Sequence, residues 1–140
     1  MEFKPAASRV SSAGPAEWFT GQVWMDELGA LPGLAVRALR VTFAPGARTA
    51  WHAHPGGQVL HVVDGVGRVQ SAGGPVRALR PGDTVVAGPG EQHWHGAAPD
   101  QLMSHVAISA GDPATGQQTV WAEHVTDADY YRAAPEPAGG

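Results

Sequence analysis

The sequence predicts an all-β domain, a small barrel or sandwich built from short strands, and three observations carry that prediction. In 140 residues there are 19 glycines and 12 prolines, far more punctuation than a helical bundle tolerates. Apolar residues alternate with polar ones in runs of four to eight residues instead of recurring every third or fourth position. Turn signals also return about every 8–12 residues, the rhythm of an antiparallel sheet protein.

Each element can be justified in order. Residues 1–17 are small and proline-broken and read as an arm that is disordered or packs on a partner subunit. Residues 18–25, aromatic and alternating, read as a first strand, and 26–34, with Gly29, Pro32 and Gly33, as a loop. Residues 36–43 alternate cleanly, with Leu39, Val41 and Phe43 on one side and Arg40 and Thr42 on the other.

Ala44-Pro45-Gly46 turns the chain into a strand over 49–54, and Pro55-Gly56-Gly57 turns it back into another over 58–63. Further strands are expected at 67–70, 76–79, 84–87, 92–97 and 102–109, and a last one at 119–125. Thr126-Asp127-Ala128-Asp129 has the form of an N-cap opening a short helix through Tyr131 or Arg132. The organisation is therefore an arm (1–17), one domain (18–132) and a flexible tail (133–140).

Composition excludes several functions. A net charge of −4 with scattered signs argues against nucleic acid and against an acidic membrane surface. The absence of cysteine rules out disulfides and thiolate metal sites. No apolar run approaches a membrane span or a signal peptide core, so the expected location is the cytoplasm.

Chemistry concentrates in the seven histidines. On a strand, residues i and i+2 share a face about 7 Å apart, so His52 and His54 point the same way. Gln58 returns from the next strand, and His93 arrives from far downstream. Three imidazoles and an amide are neutral donors suited to one divalent ion of Mn, Fe, Co, Ni or Zn. An amide in place of a carboxylate leaves the ion's charge undiminished, which favours polarising a substrate oxygen over oxygen chemistry.

By the same alternation His95 and His105 face inward. They are the candidate acid–base pair, with unperturbed values near pH 6.5. Leu39, Val41 and Ser109 share the inward parity of their strands and are candidate substrate-lining residues. His61 should face outward, and no chemistry falls to His124. Trp51 and Trp94, flanking ligands, must point away from the cavity, while Arg48 and Asp83 suit turn or surface roles.

The spacing Gly46, five residues, His52-x-His54, three residues, Gln58, six residues, Gly65 resembles the first motif of the cupins. Gly82 through Pro89-Gly90-x-x-His93 resembles the second, one residue longer and with Ala97 in the usual asparagine position. Within the cupins the chain resembles small bacterial manganese-dependent hydroxynitrile lyases. The likeness rests on Gly14-Pro15-Ala16-Glu17-Trp18-Phe19-Thr20-Gly21, Pro45-Gly46-Ala47-Arg48-Thr49-Ala50-Trp51-His52, His93-Trp94-His95-Gly96-Ala97-Ala98-Pro99 and Glu123-His124-Val125-Thr126-Asp127.

The resemblance implies a cupin jelly-roll barrel with a short C-terminal helix, and one metal, manganese, on His52, His54, Gln58 and His93. It also implies cyanohydrin cleavage assisted by His95 and His105. Leu39 is bulkier than the residue expected there, and Ser109 stands where an amide is expected. A homodimer or homotetramer is implied as well, with the outward tryptophans at the contact. A metal-dependent dioxygenase acting on a small organic molecule and a non-catalytic small-molecule binder are the alternatives.

Overall fold

In the computed structural model, which describes residues 1–132, backbone pairing resolves the chain into thirteen strands in two sheets. They are β1 (Ser11–Ala13), β2 (Phe19–Thr20), β3 (Val23–Leu31), β4 (Val36–Phe43), β5 (Arg48–Thr49), β6 (His52–Ala53) and β7 (Gly57–Gly65). After these come β8 (Gly67–Ser71), β9 (Arg77–Leu79), β10 (Thr84–Ala87), β11 (His93–Ala97), β12 (Met103–Ala110) and β13 (Val120–Trp121). A one-turn helix, α1 (Asp127–Tyr130), closes the domain, and the expected tail at 133–140 lies outside the described residues.

One sheet has the order β1-β3-β4-β12-β7-β10. In the other, β11 is the axis, pairing with β8 on one edge and with β5 and β6 on the other, and β9, β2 and β13 extend it outward. The sheets face each other as a jelly roll. Their shared interior is split between an apolar core and a cavity. Phe43 and Met103 are fully enclosed beside Val62, Val69 and Ala97. Burying each large side chain contributes about 1.5–3 kcal/mol.

The alternation read from 36–43 matches β4, where Val41 and Phe43 are buried and Arg40 is exposed. Its register with β12 sets Val41 opposite His105, Leu39 opposite Ala107 and Arg37 opposite Ser109. β12 in turn sets Ser109 opposite Gln58 on β7. This three-strand floor carries one wall of the cavity. Gly65, at φ +76, has to be glycine, because a Cβ there would run into the Leu102 carbonyl.

Several elements differ from the sequence expectation. Residues 26–31 are strand, not loop: the ladder to β4 continues past Gly29 through a bulge between Glu27 and Gly29, and Pro32 ends it in a 3-10 turn. In the arm, Ser11–Ala13 pairs with Trp24–Asp26, a ladder that backbone groups make without help from a side-chain pattern. The histidine strand is interrupted at Trp51, whose N–H and C=O bond instead to Glu123 and Ala122. The last strand shrinks to Val120–Trp121 for the complementary reason, since the segment after it serves Trp51.

Outside the cavity, Trp94 packs with Val76, Val125 and Tyr130, with Trp51 against them. Trp94 is fully buried under the chain's own C-terminal segment and so is packed between layers instead of lying at a subunit contact, while Trp51 stays half-buried beside it. Arg48 is likewise not a surface residue. It is buried, donates to the Val125 carbonyl (2.8 Å) and to Asp127 (2.7 Å), and lies 4.4 Å over the Tyr130 ring. Thr126 caps α1 as expected, accepting from the Asp129 N–H, and Asp83 accepts from the Arg80 N–H in its turn. His61 faces outward beside Thr84.

Candidate metal centre

Five imidazoles converge in the barrel, delivered by four elements. His52 comes from β6, His54 from the turn after it, His93 and His95 from alternate positions of β11, and His105 from β12. His52 stands directly opposite His93 in the ladder, so their rings lie 4.4 Å apart. The rings of His52 and His54 are 5.1 Å apart, and those of His52 and His95 are 5.2 Å apart.

Three of these rings are pinned in the same way. His52 Nδ1 faces the Ala50 carbonyl at 2.9 Å, His54 Nδ1 faces Gln118 at 2.7 Å, and His93 Nδ1 faces Glu91 at 2.9 Å. A carbonyl only accepts, so each Nδ1 carries the proton and each Nε2 presents a lone pair. That is how protein imidazoles are oriented as ligands.

Among the described residues no donor reaches these lone pairs. His54 Nε2 is buried with no partner. Gln58 Nε2 donates to Ser109 Oγ (3.0 Å), so Gln58 Oε1 turns towards His93 Nε2 at 2.8 Å, one acceptor against another. A cation shared by the two atoms relieves that opposition. Among the described residues, His52, His93 and His95 offer nitrogens that all lie within 4.8 Å of one another. The residues present therefore fit a metal ion.

His95, expected in the acid–base pair, also belongs to this nitrogen cluster, while His54 and Gln58 border it. His105 Nε2 and His95 Nδ1 are joined at 3.0 Å, leaving His95 Nε2 and His105 Nδ1 buried without partners. Phe43 packs edge-on against His95 (5.8 Å) and tilted against His105 (5.4 Å), fixing both rings.

Burial changes the protonation expected of these groups. Desolvation lowers His54 and His105 to about 4 and pushes His52 and His95 well below the usual imidazole value. It lowers His93 too, against the pull of the Glu91 carbonyl. The value near 6.5 assumed for His95 and His105 does not hold inside the fold. All five rings are neutral at pH 7, the form in which imidazole binds a metal or accepts a proton.

A cavity of about 320 Å³ opens onto the cluster. Leu39, Val41 and Ser109 line it. His93 does not, because it sits behind Gln58. Trp18 and Trp121, stacked 5.1 Å apart, line the cavity as well. The sequence reading missed Trp121, Gln118 and Arg37 as wall residues. Strand parity with Leu39 and Val41 was signal enough for Arg37. Gln118 and Trp121 arrive through a long connection that no local pattern announces.

Comparison with known proteins sets the site in context. The cupin domain family matches residues 39–109, a span that holds every histidine of the cluster. The chain is 51% identical over 133 residues to an (R)-mandelonitrile lyase of Granulicella tundricola, covering 94% of this chain and 100% of that protein. A cupin-like protein of Thermotoga maritima is 38% identical, with a TM-score of 0.82 over 96% of this chain and 100% of its own. A cupin 2 conserved barrel domain protein from Rhodopseudomonas palustris shares the fold alone, at 17% identity and a TM-score of 0.67 over 87% of this chain and 81% of its own.

Proposed function

The chain belongs to the cupin domain family, and from that premise we propose that it is a metal-dependent lyase that cleaves and forms cyanohydrins. The observation that carries the reading is the near-full-length identity to a mandelonitrile lyase, combined with a buried, neutral imidazole cluster at the end of an aromatic cavity. His52, His54, Gln58 and His93 would hold the ion, with His95 beside them, and manganese is the ion we propose from the hydroxynitrile lyase resemblance. When bound, a divalent ion supplies Lewis-acid polarisation of the substrate oxygen.

The chain's own residues do the rest. The shared bond between His95 and His105 fixes their outer nitrogens in opposite states. If His95 Nε2 is bare then His105 Nδ1 carries a proton, and the reverse holds when the shared proton belongs to the other ring. One outer nitrogen is therefore always a base while the other is an acid. The base takes the cyanohydrin hydroxyl proton. The carbon–carbon bond pair then leaves with cyanide as the carbonyl forms, and the acid protonates cyanide, giving aldehyde plus hydrogen cyanide. Trp18, Phe19, Phe43 and Trp121 supply walls for an aromatic ring and keep water from the developing charge.

We further propose a homodimer or homotetramer, working in the cytoplasm. Support for association comes from the outer face of the six-stranded sheet, where Val86, Val59 and Ile108 stand side by side across β10, β7 and β12, 72%, 38% and 47% exposed. Among the described residues no helix is long and apolar enough to cross a membrane.

The test is elemental analysis of freshly purified protein, then a mandelonitrile cleavage assay with the identified ion restored. Benzaldehyde and cyanide should appear in equal amounts without oxygen consumption. Metal-loaded protein that leaves mandelonitrile intact, or that consumes oxygen in turning it over, would overturn the reading.

A further inference from the structure

The cavity wall carries one charged side chain, and the lyase reading gives it nothing to do. Arg37 follows the inward parity of Leu39 and Val41 along β4, so its side chain lines the cavity. Among the described residues no aspartate or glutamate lines that cavity. None of the ion pairs or side-chain hydrogen bonds among the described residues uses the Arg37 guanidinium.

The position of Arg37 is set by register. It stands opposite Ser109, which stands opposite Gln58, so the guanidinium is rooted two strands, about 10 Å, from the amide. His105 stands opposite Val41 on the same floor, two rows further along β12. Arg37 and Ser109 therefore lie at one end of this floor, with Gln58 donating to Ser109 Oγ (3.0 Å), and the His95–His105 pair with Phe43 at the other. A planar guanidinium with its donors free, half-buried in an apolar chamber, is built to take a carboxylate in two parallel hydrogen bonds.

We propose that Arg37 is a specificity-determining residue that selects small substrates bearing a carboxylate remote from the reacting carbon. The carboxylate sits at the Arg37 end and the hydroxyl-bearing carbon at the imidazole end. This inference deepens the lyase reading and rests on it for the reaction, but the recognition can be measured without turnover.

The matched probes are 4-(hydroxymethyl)benzoate and its neutral isostere 4-(hydroxymethyl)benzamide, titrated calorimetrically into metal-loaded protein. The wild-type chain should bind the benzoate about tenfold tighter than the benzamide, the scale of a charge-assisted hydrogen bond at a half-exposed site. Arg37→Met should bring the two affinities together, and Arg37→Lys, which keeps the charge but not the fork, should retain part of the difference. Equal affinities in the wild-type chain would overturn the proposal. So would a benzoate preference that persists in Arg37→Met, which would mean that the carboxylate is held elsewhere, at the metal in particular. Mandelonitrile cleavage by the wild-type protein, assayed alongside, reports on the lyase reading separately, because mandelonitrile has no carboxylate for Arg37 to hold.

Discussion

The two faces of β11 make an instructive pair. On one, His93 and His95 enter the barrel interior; on the other, Trp94 enters a core closed by the C-terminal segment. Both places are buried and both are rich in polar atoms, yet their polar atoms are treated differently. Around Trp94 the indole N–H donates to Gln70 Oε1 (2.8 Å), Gln70 Nε2 donates to the Gly74 carbonyl (2.9 Å), and Tyr130 OH donates to the Ala97 carbonyl (2.6 Å). Arg68 ties down the Tyr130 carbonyl at 2.7 Å. Among the described residues, Arg48 Nε is that region's only buried side-chain polar atom without a partner.

Across the strand, His54 Nε2, His95 Nε2 and His105 Nδ1 all lack partners, and two acceptors meet between Gln58 and His93. A network built for stability closes its hydrogen bonds, because each buried orphan costs about 1–3 kcal/mol. A cluster that tolerates several orphans in one place is holding them for something outside the chain. The contrast separates scaffold from site on a single five-residue strand.

The comparison can be broken most severely on the imidazole side. His52→Ala should leave the fold intact by circular dichroism while bound metal falls below detection and mandelonitrile turnover disappears. His105→Ala should keep its metal and lose about 10²–10⁴ in kcat, the usual contribution of a positioned acid or base. A His105→Ala variant with full activity would remove the acid–base pair from the account.

Acid should act on the same side. When unfolded, an imidazole takes a proton near pH 6.5, but inside this fold His54 and His105 do so only at about 4. Between those values the unfolded chain binds more protons, so the stability of chelator-treated protein should be whole above about pH 6.5 and fall steadily towards pH 4. Thermal melts across that range check it, and a flat profile would mean that the rings are not buried neutral together.

The smallest effect belongs to the scaffold side. Tyr130→Phe leaves the Ala97 carbonyl without its side-chain donor and should cost about 1–3 kcal/mol in denaturant unfolding. Metal content and mandelonitrile turnover should not change. A variant that lost metal instead would show that the two faces of β11 are coupled through the strand.

Much of this was legible in the order of residues. Alternation along 36–43 and 102–109 reports which side chains face inward, because a strand has a period of two and no freedom to point them elsewhere. It placed Leu39, Val41, His105 and Ser109 around one cavity, and the His-x-His and Pro-Gly-x-x-His spacings marked the turns that feed the imidazole cluster. Where pairing rests on backbone alone, as in β1 and the second half of β3, side-chain patterns were silent and the expectation failed.

The rest waited for three dimensions. That Trp94 is shielded by its own chain depends on where residues 122–131 dock, a long-range choice made by Arg48 and Tyr130 and invisible in any local window. Which imidazole lies closest to which depends on the ladder that sets His93 opposite His52, and the protonation of all five on a burial that no unfolded reference value contains. The sequence by itself determined a β barrel with histidines on its inner face, since periodicity is a local property of the chain. Tertiary packing alone decided which of those histidines meet, how dry they are and that Arg37 shares their chamber, since distance and desolvation come into being only when distant strands pair.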